Sequence, residues 1–249
     1  MHFLGSTRTT VRPNYTLLTP DTFVRAPLPG MEKATAIVHT APAVGAAFTQ
    51  YTAEFERGGT LGVLPPWDIE RFVYVLEGEL QLQAAGKPVR ILKDGFAYVP
   101  AGLEHRLQAK SKARAVVIEK PYQPLDGTPE PKLLVGQERS VAPQPLLGDP
   151  DVEVRSLIPA DPSFDFAVNT MTCAPGATLP MVEVHVMEHG LLMLEGGGIY
   201  RLGDDWHPTT AGDFIWMGPY CPQWFGALGK KPARYLIYKD WNRHPQAEL

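Results

Sequence analysis

RFVYVLEGELQLQ, residues 71–83, decides the fold, because the chain writes the pattern a second time as GLLMLEGGGIYRL, residues 190–202. Each stretch is a run of aliphatic, β-branched and aromatic residues broken at Glu-Gly, which reads as two strands joined by a tight turn. Leu76-Glu77-Gly78 meets Leu194-Glu195-Gly196 at a separation of 118 residues. The same offset carries Gly58 in GGTL onto Gly176 in GATL, Pro100 onto Gly218, and His105 in PAGLEH onto Gln223 in GPYCPQ. A register held without gaps over roughly 50 residues points to duplication.

Working outward, VRILKDGFAYVPAG (89–102) and ARYLIYKD (233–240) are further short apolar runs bounded by Gly, Pro or Asp, and helical periods are scarce. The 25 prolines and 23 glycines are spread along the whole chain, which favours short strands and turns over long helices. The pattern predicts an all-β, mainly antiparallel chain of two similar domains in tandem, over 1–120 and 151–249. Between them PYQPLDGTPEPKLLVGQERSVAPQPLLGDP (121–150), with seven prolines, is expected to be an extended connection.

Composition removes several function classes. Hydrophobic content of 44% with 20% charged residues suits a globular core rather than disorder. A net charge of -4 gives no basic footprint for nucleic acid, and no apolar run approaches the ~18 residues of a membrane span. The opening MHFLGSTRTTVRPNY lacks an apolar segment followed by a small-residue cleavage site, so a cytoplasmic protein is expected. Cys173 and Cys221 are too few for a disulfide framework and lack zinc-site spacing, which leaves them as small buried hydrophobes.

Each copy runs Gly, a ligand-like strand, a hairpin at Glu-Gly, then a Gly-Asp or Asp-Gly turn and a Pro-rich strand. This order resembles the cupins, small jelly-roll β-barrels whose two sequence motifs surround one metal. The resemblance implies a first motif of H-x-H, then E, then Gly, and a second motif closed by His. In the second copy the register holds while the residue types change: Glu183, His185, His189 and Gly196, followed by Gly212, Gly218 and Gln223. Acid and imidazole have exchanged places, and an amide stands where the last histidine is usual.

On a strand, side chains alternate faces, so Glu183, His185, Met187 and His189 are expected on one face and Val184, Val186 and Glu188 on the other. A carboxylate and two imidazoles inside a small barrel are costly unless paired or coordinated. Gln223, from a distant strand, would complete four protein ligands and leave two octahedral positions open. Oxygen and nitrogen donors without thiolate suit manganese, iron(II) or nickel at least as well as zinc; Mn2+ is preferred, partly on the resemblance, with other divalent metals open. A rival motif is HVMEH (185–189), the H-x-x-E-H of inverted zinc proteases with Glu188 as base. It needs a helix across 180–195, against which stand Pro180, three valines and the Glu-Gly-Gly-Gly turn.

At the 118 offset the first copy has Pro65, Trp67 and Arg71 in place of Glu183, His185 and His189, and keeps only His105 opposite Gln223. The first barrel is therefore expected to be structural, with His105 a hydrogen-bonded core residue. His2, His39, His207 and His244 have no constellation and are read as surface or loop residues. In RYLIYKD, alternation places Tyr235, Ile237 and Lys239 on one face. A lysine sent into a barrel needs an anion, and a substrate carboxylate would serve; Tyr200, just after the hairpin, adds a phenol donor.

The run EVHVMEHGLLMLEGGGIYRLGDDWHPTTAGDFIWMGPYCPQWFGALGKKPARYLIYKDWNR (183–243) is similar to the corresponding part of the (S)-ureidoglycine aminohydrolase family, two-cupin enzymes of purine and allantoin ureide breakdown. NYTLLTPDTFVRAPLPG (14–30) and ERFVYVLEGEL (70–80) share the likeness. The resemblance implies manganese-dependent hydrolysis of (S)-ureidoglycine to (S)-ureidoglycolate and ammonia. It makes Glu183, His185, His189 and Gln223 metal ligands and has Tyr200, Tyr235 and Lys239 contact the ureide. Chemical reasoning then expects catalytic roles for two of them, Lys239 neutralising the substrate carboxylate and Glu183, a ligand with a spare oxygen, shuttling a proton. Two other classes stay open: a different cupin chemistry such as a dioxygenase or isomerase, and a non-catalytic module binding a small carboxylate. Exposed jelly-roll edges lead to the expectation of a homo-oligomer.

Overall fold

The computed structural model describes residues 7–62, 68–84 and 86–243. Apart from single 3-10 turns at Pro20–Thr22, Pro42–Val44 and Glu138–Ser140, its elements are β-strands, and they pair antiparallel. The fold is two β-jelly rolls in tandem, as the cupin resemblance implies. No helix among the described residues is long and apolar enough to cross a membrane.

In the first jelly roll, Ile69–Glu77 lies between Gly95–Val99 and Ala113–Pro121, and Thr49–Gly62 continues to Arg106–Ala109, Glu79–Gln83 and Val89–Leu92. In the second, His189–Glu195 lies between Phe214–Met217 and Ala233–Asp240, with Phe166–Cys173 beyond; Asp205–Thr210, Gly197–Leu202 and Gln223–Ala227 form its smaller sheet. Each interior is filled by alternate residues of these strands. Val73, Val75, Ala97 and Val117 serve the first, and Leu191, Met193, Ile215 and Ile237 the second. Burying each large aliphatic side chain contributes about 1.5–3 kcal/mol, and a one-residue slip would turn the whole set to the other face.

The repeated Leu-Glu-Gly has a steric cause. Gly78 and Gly196 both adopt left-handed backbone, at φ 75° and 66°. A Cβ would lie 2.3 Å from the Lys112 carbonyl oxygen in the first copy and 2.4 Å from that of Pro232 in the second. Only glycine fits where the hairpin crosses the following strand. By that strand the copies are 120 residues apart rather than 118, since Arg71 pairs with Glu119 and His189 with Lys239.

The compact units are cut differently from a division at 120 and 150. One combines the chain up to Phe23 with Ala142–Ala160 and the stretch from Phe166 onward; the other is Val24–Val141 with Asp161–Asp165. The reason is edge covering. An unpaired strand leaves a row of backbone donors and acceptors to satisfy, and the two units use different parts of the chain at the same place. Tyr15–Leu18 pairs with Phe214–Met217 in one, and Leu134–Gln137 with Gly95–Val99 in the other. The Pro-rich segment 121–150 thus supplies strands as well as a connection: Gln144–Leu146 also pairs, and Pro145 is tolerated there because the strand is at an edge.

Candidate metal and substrate site

The segment 183–189 is not one continuous strand. Glu183 makes an isolated bridge, residues 186 and 187 bend, and regular pairing begins only at His189. The face expected of Glu188 is nevertheless kept: it is buried away from the barrel interior and accepts a 2.9 Å hydrogen bond from Trp216 Nε1, whose neighbours Ile215 and Met217 line that interior. The helix required by H-x-x-E-H is absent.

Pairing with the second motif does what alternation was expected to do. Glu183 and Gln223 exchange both backbone hydrogen bonds, at 2.8 and 2.9 Å, and Tyr220 N donates to the His185 carbonyl at 2.6 Å. These contacts zip 183–185 onto 220–223. Tyr220 holds φ 61°, a left-handed conformation costly for a bulky side chain, at the position where the first copy has Gly102 at 75°.

The result is a graded site within the second barrel. His189 and Gln223 are buried, whereas Glu183 and His185 keep 21% and 31% of their side chains exposed, which puts the first pair deep and the second at the rim. His185 Nε2 lies 3.2 Å from Glu183 Oε2, and the rings of His185 and His189 are 5.3 Å apart. Tyr200 donates to Gln223 Oε1 at 3.2 Å. Tyr200 and Tyr235 are buried in the interior cluster and both pack against Phe225, with ring centroids 5.4 and 5.7 Å away. Burial raises both phenol pKa values, so they are donors at neutral pH. Lys239, cross-strand to His189, has its pKa lowered by burial while Glu183 pulls it up.

The donors suit a divalent ion. Burial, with help from His185 and Lys239, pushes His189 down to about 3, so its ring is neutral, and it bonds the Met187 carbonyl. A metal-binding histidine typically donates its other ring N–H to such a carbonyl. The cysteines are no competitors, since burial pushes Cys173 up to about 11 and also raises Cys221. The groups meet pairwise rather than as a preformed sphere: among the described residues no three carboxylate, imidazole or thiol groups gather at ligand distance.

Elsewhere, His39 is buried and bonded to Thr52 Oγ1 at 2.8 Å, which corrects its reading as a surface residue. His207 is partly buried, 3.1 Å from the Tyr15 hydroxyl. His2, His244, Pro65 and Trp67 lie outside the described residues. Two groups were not singled out by the sequence: Trp241, whose ring faces Lys239, and Tyr15, which reaches the second barrel from the start of the chain and donates to Asp205 at 2.6 Å. Two-residue spacing from Lys239 on an extended chain was the available signal for Trp241.

The cupin domain model matches residues 65–119 and 169–238, once in each copy. An (S)-ureidoglycine aminohydrolase of Arabidopsis thaliana is 42% identical over 97% of this chain and 80% of its own length. Its counterpart from Escherichia coli is 33% identical over 92% of this chain and 89% of its own. Among solved structures, protein Ylba of E. coli superposes with a TM-score of 0.86 at 29% identity, covering 99% of this chain and 98% of that one. An oxalate decarboxylase of Bacillus subtilis, at 12% identity and a TM-score of 0.69 over 94% of this chain and 79% of that one, shares the fold alone. Matched along nearly its whole length, the chain belongs to the (S)-ureidoglycine aminohydrolase family of two-cupin enzymes, hydrolases acting on a carbon–nitrogen bond.

Proposed function

We propose that the second barrel hydrolyses (S)-ureidoglycine to (S)-ureidoglycolate and ammonia, with Glu183, His185, His189 and Gln223 holding a divalent metal, Mn2+ first among the candidates. The observation that carries this is the meeting, in one barrel, of a carboxylate, two imidazoles and an amide with two neutral phenols and a partly buried ammonium. A bound ion would supply Lewis-acid anchoring of the substrate.

The chain's own groups account for the rest. Lys239 neutralises the substrate carboxylate, an interaction that strengthens where water is excluded. Tyr200 orients Gln223 through its hydroxyl, and with Tyr235 it offers phenol donors to the ureide. The substrate carries its amine and ureido nitrogen on one carbon. When the carbon–nitrogen bond to the amine breaks, the ureido nitrogen's lone pair stabilises the carbon and ammonia departs with an added proton. Water then adds its oxygen to that carbon from one face and gives up a proton. Glu183, partly exposed at the rim, is placed to carry the proton between water and amine.

The test is ammonia release from freshly generated (S)-ureidoglycine against the spontaneous background, with Mn2+ and with chelator. Metal-dependent acceleration and an (S)-ureidoglycolate product are expected. Background rates with metal demonstrably bound would sink the substrate assignment. Glu183→Gln is expected to lower turnover more than it lowers metal affinity; equal losses would leave Glu183 a ligand role only.

A further inference from the structure

Lys239 brings a charge into the second barrel on a flexible four-carbon stem. Glu183 lies within its electrostatic reach, yet the two form no ion pair. The Lys239 Nζ instead lies 4.5 Å from the ring centroid of Trp241, and among the described residues it meets no hydrogen-bond acceptor. Trp241 follows directly on the strand Ala233–Asp240 and is half-buried. Its spacing of two from Lys239 allows the ring to lie along the lysine stem.

The choice of seat matters because the two attractions differ in kind. An aromatic face attracts an ammonium through its quadrupole and leaves the N–H donors uncommitted. A carboxylate would consume a donor and also occupy an oxygen needed elsewhere. We propose that Trp241 is a positioning residue: it holds the Lys239 ammonium off Glu183, which keeps the lysine donors for a substrate carboxylate and the Glu183 oxygens for a divalent ion. This rests on the site reading above, and it concerns a residue that lies outside the ligand and substrate-contact set.

The test is a cycle read by Mn2+ affinity, measured by calorimetry on metal-stripped protein and accompanied by thermal melts. The proteins are the wild type, Trp241→Phe, Trp241→Ala, Lys239→Met and the Trp241→Ala/Lys239→Met double variant. Trp241→Ala is expected to weaken Mn2+ binding about five- to tenfold, between the exposed and desolvated scales of a cation–π contact, because the freed lysine turns to Glu183. Trp241→Phe, which keeps a π face, is expected to stay within about twofold. The double variant should bind Mn2+ as Lys239→Met does, since no lysine remains to compete. Trp241→Ala should also raise KM for the carboxylate substrate more than it lowers kcat. Unchanged Mn2+ affinity in Trp241→Ala, or a loss that persists without Lys239, overturns the proposal; the latter would mean that the indole only supports packing. A wild type that binds Mn2+ but leaves (S)-ureidoglycine at its background rate removes the substrate reading alone, because the cycle uses only the ion.

Discussion

Two barrels of common pattern place opposite chemistry at the same cross-strand position. In the second, His189 faces Lys239 across the sheet; in the first, Arg71 faces Glu119. Where the second has Gln223, the first has His105. Arg71 is buried and fully engaged: Nε reaches Glu119 Oε1 at 2.7 Å, Nη1 contacts His105 Nε2 at 2.7 Å, and Nη2 donates to the Gly62 carbonyl at 3.2 Å. Tyr51 adds a hydrogen bond to the same Glu119 oxygen, and the other His105 nitrogen bonds the Leu103 carbonyl at 2.8 Å. An arginine donates only, so His105 Nε2 is the acceptor and Nδ1 carries the proton. Buried charges need compensation wherever they are. The first barrel supplies its own cation, while the second presents lone pairs and an uncommitted ammonium.

The widest separation between the barrels should appear in activity. His189→Ala is expected to lower kcat/KM for (S)-ureidoglycine by about a thousandfold or more, on the scale of losing a group that organises the transition state. His105→Ala should change it less than about threefold in protein that remains folded. A His105→Ala variant that stays folded yet loses activity comparably would break the comparison.

Stability should show the reverse emphasis. Arg71→Met leaves the Glu119 carboxylate and His105 Nε2 without their donor and is expected to cost about 3 kcal/mol in denaturant unfolding, the lower end for breaking a buried pair because Glu119 is partly exposed. Adding Glu119→Gln should recover part of that. No recovery would mean that Arg71 acts through packing rather than charge.

Acid acts on both barrels, since His189 in the second is held at about 3 as well, and the share of the first can be isolated. Burial pushes His39 to about 3 and His105 to about 4, the latter with help from Arg71. Both lie below the ordinary unfolded value of about 6.5. Below that value the unfolded chain binds protons that the folded first unit refuses, so stability is full above pH ~6.5 and falls toward pH 4 and 3. Each histidine contributes a slope of up to about 1.4 kcal/mol per pH unit. His39→Gln should flatten this fall in denaturant midpoints measured across pH; an unaltered slope would show that His39 titrates normally.

The smallest effect concerns the lip of the motif. Gly102→Ala meets no atom within 4 Å and should cost only the left-handed backbone strain, about 1 kcal/mol. Tyr220→Gly, at the matching position, relieves that strain and is expected to leave the melting temperature nearly unchanged. A drop of several degrees would show that the tyrosine ring contributes more packing than its half-exposed position suggests.

Much of this was legible in the amino-acid order. The Leu-Glu-Gly repeat, the constant register and the spread of glycine and proline determined two all-β copies, because strand alternation and tight turns are local properties. The spacing of Glu183, His185, His189 and Gln223 singled out the chemically loaded copy, because Pro65, Trp67 and Arg71 cannot repeat it. Tertiary structure alone decided the rest. Glu183 and His185 are oriented by backbone pairing with residues 220–223 rather than by their own strand. Arg71 and Glu119 became partners across a sheet, 48 positions apart. The chain's opening strand joined the later unit, because a jelly-roll edge accepts any strand of suitable length and the sequence does not name the one that covers it. Trp241 gained its meaning only from the ammonium above its ring, since contacts of that kind depend on where two side chains end, which no local pattern specifies.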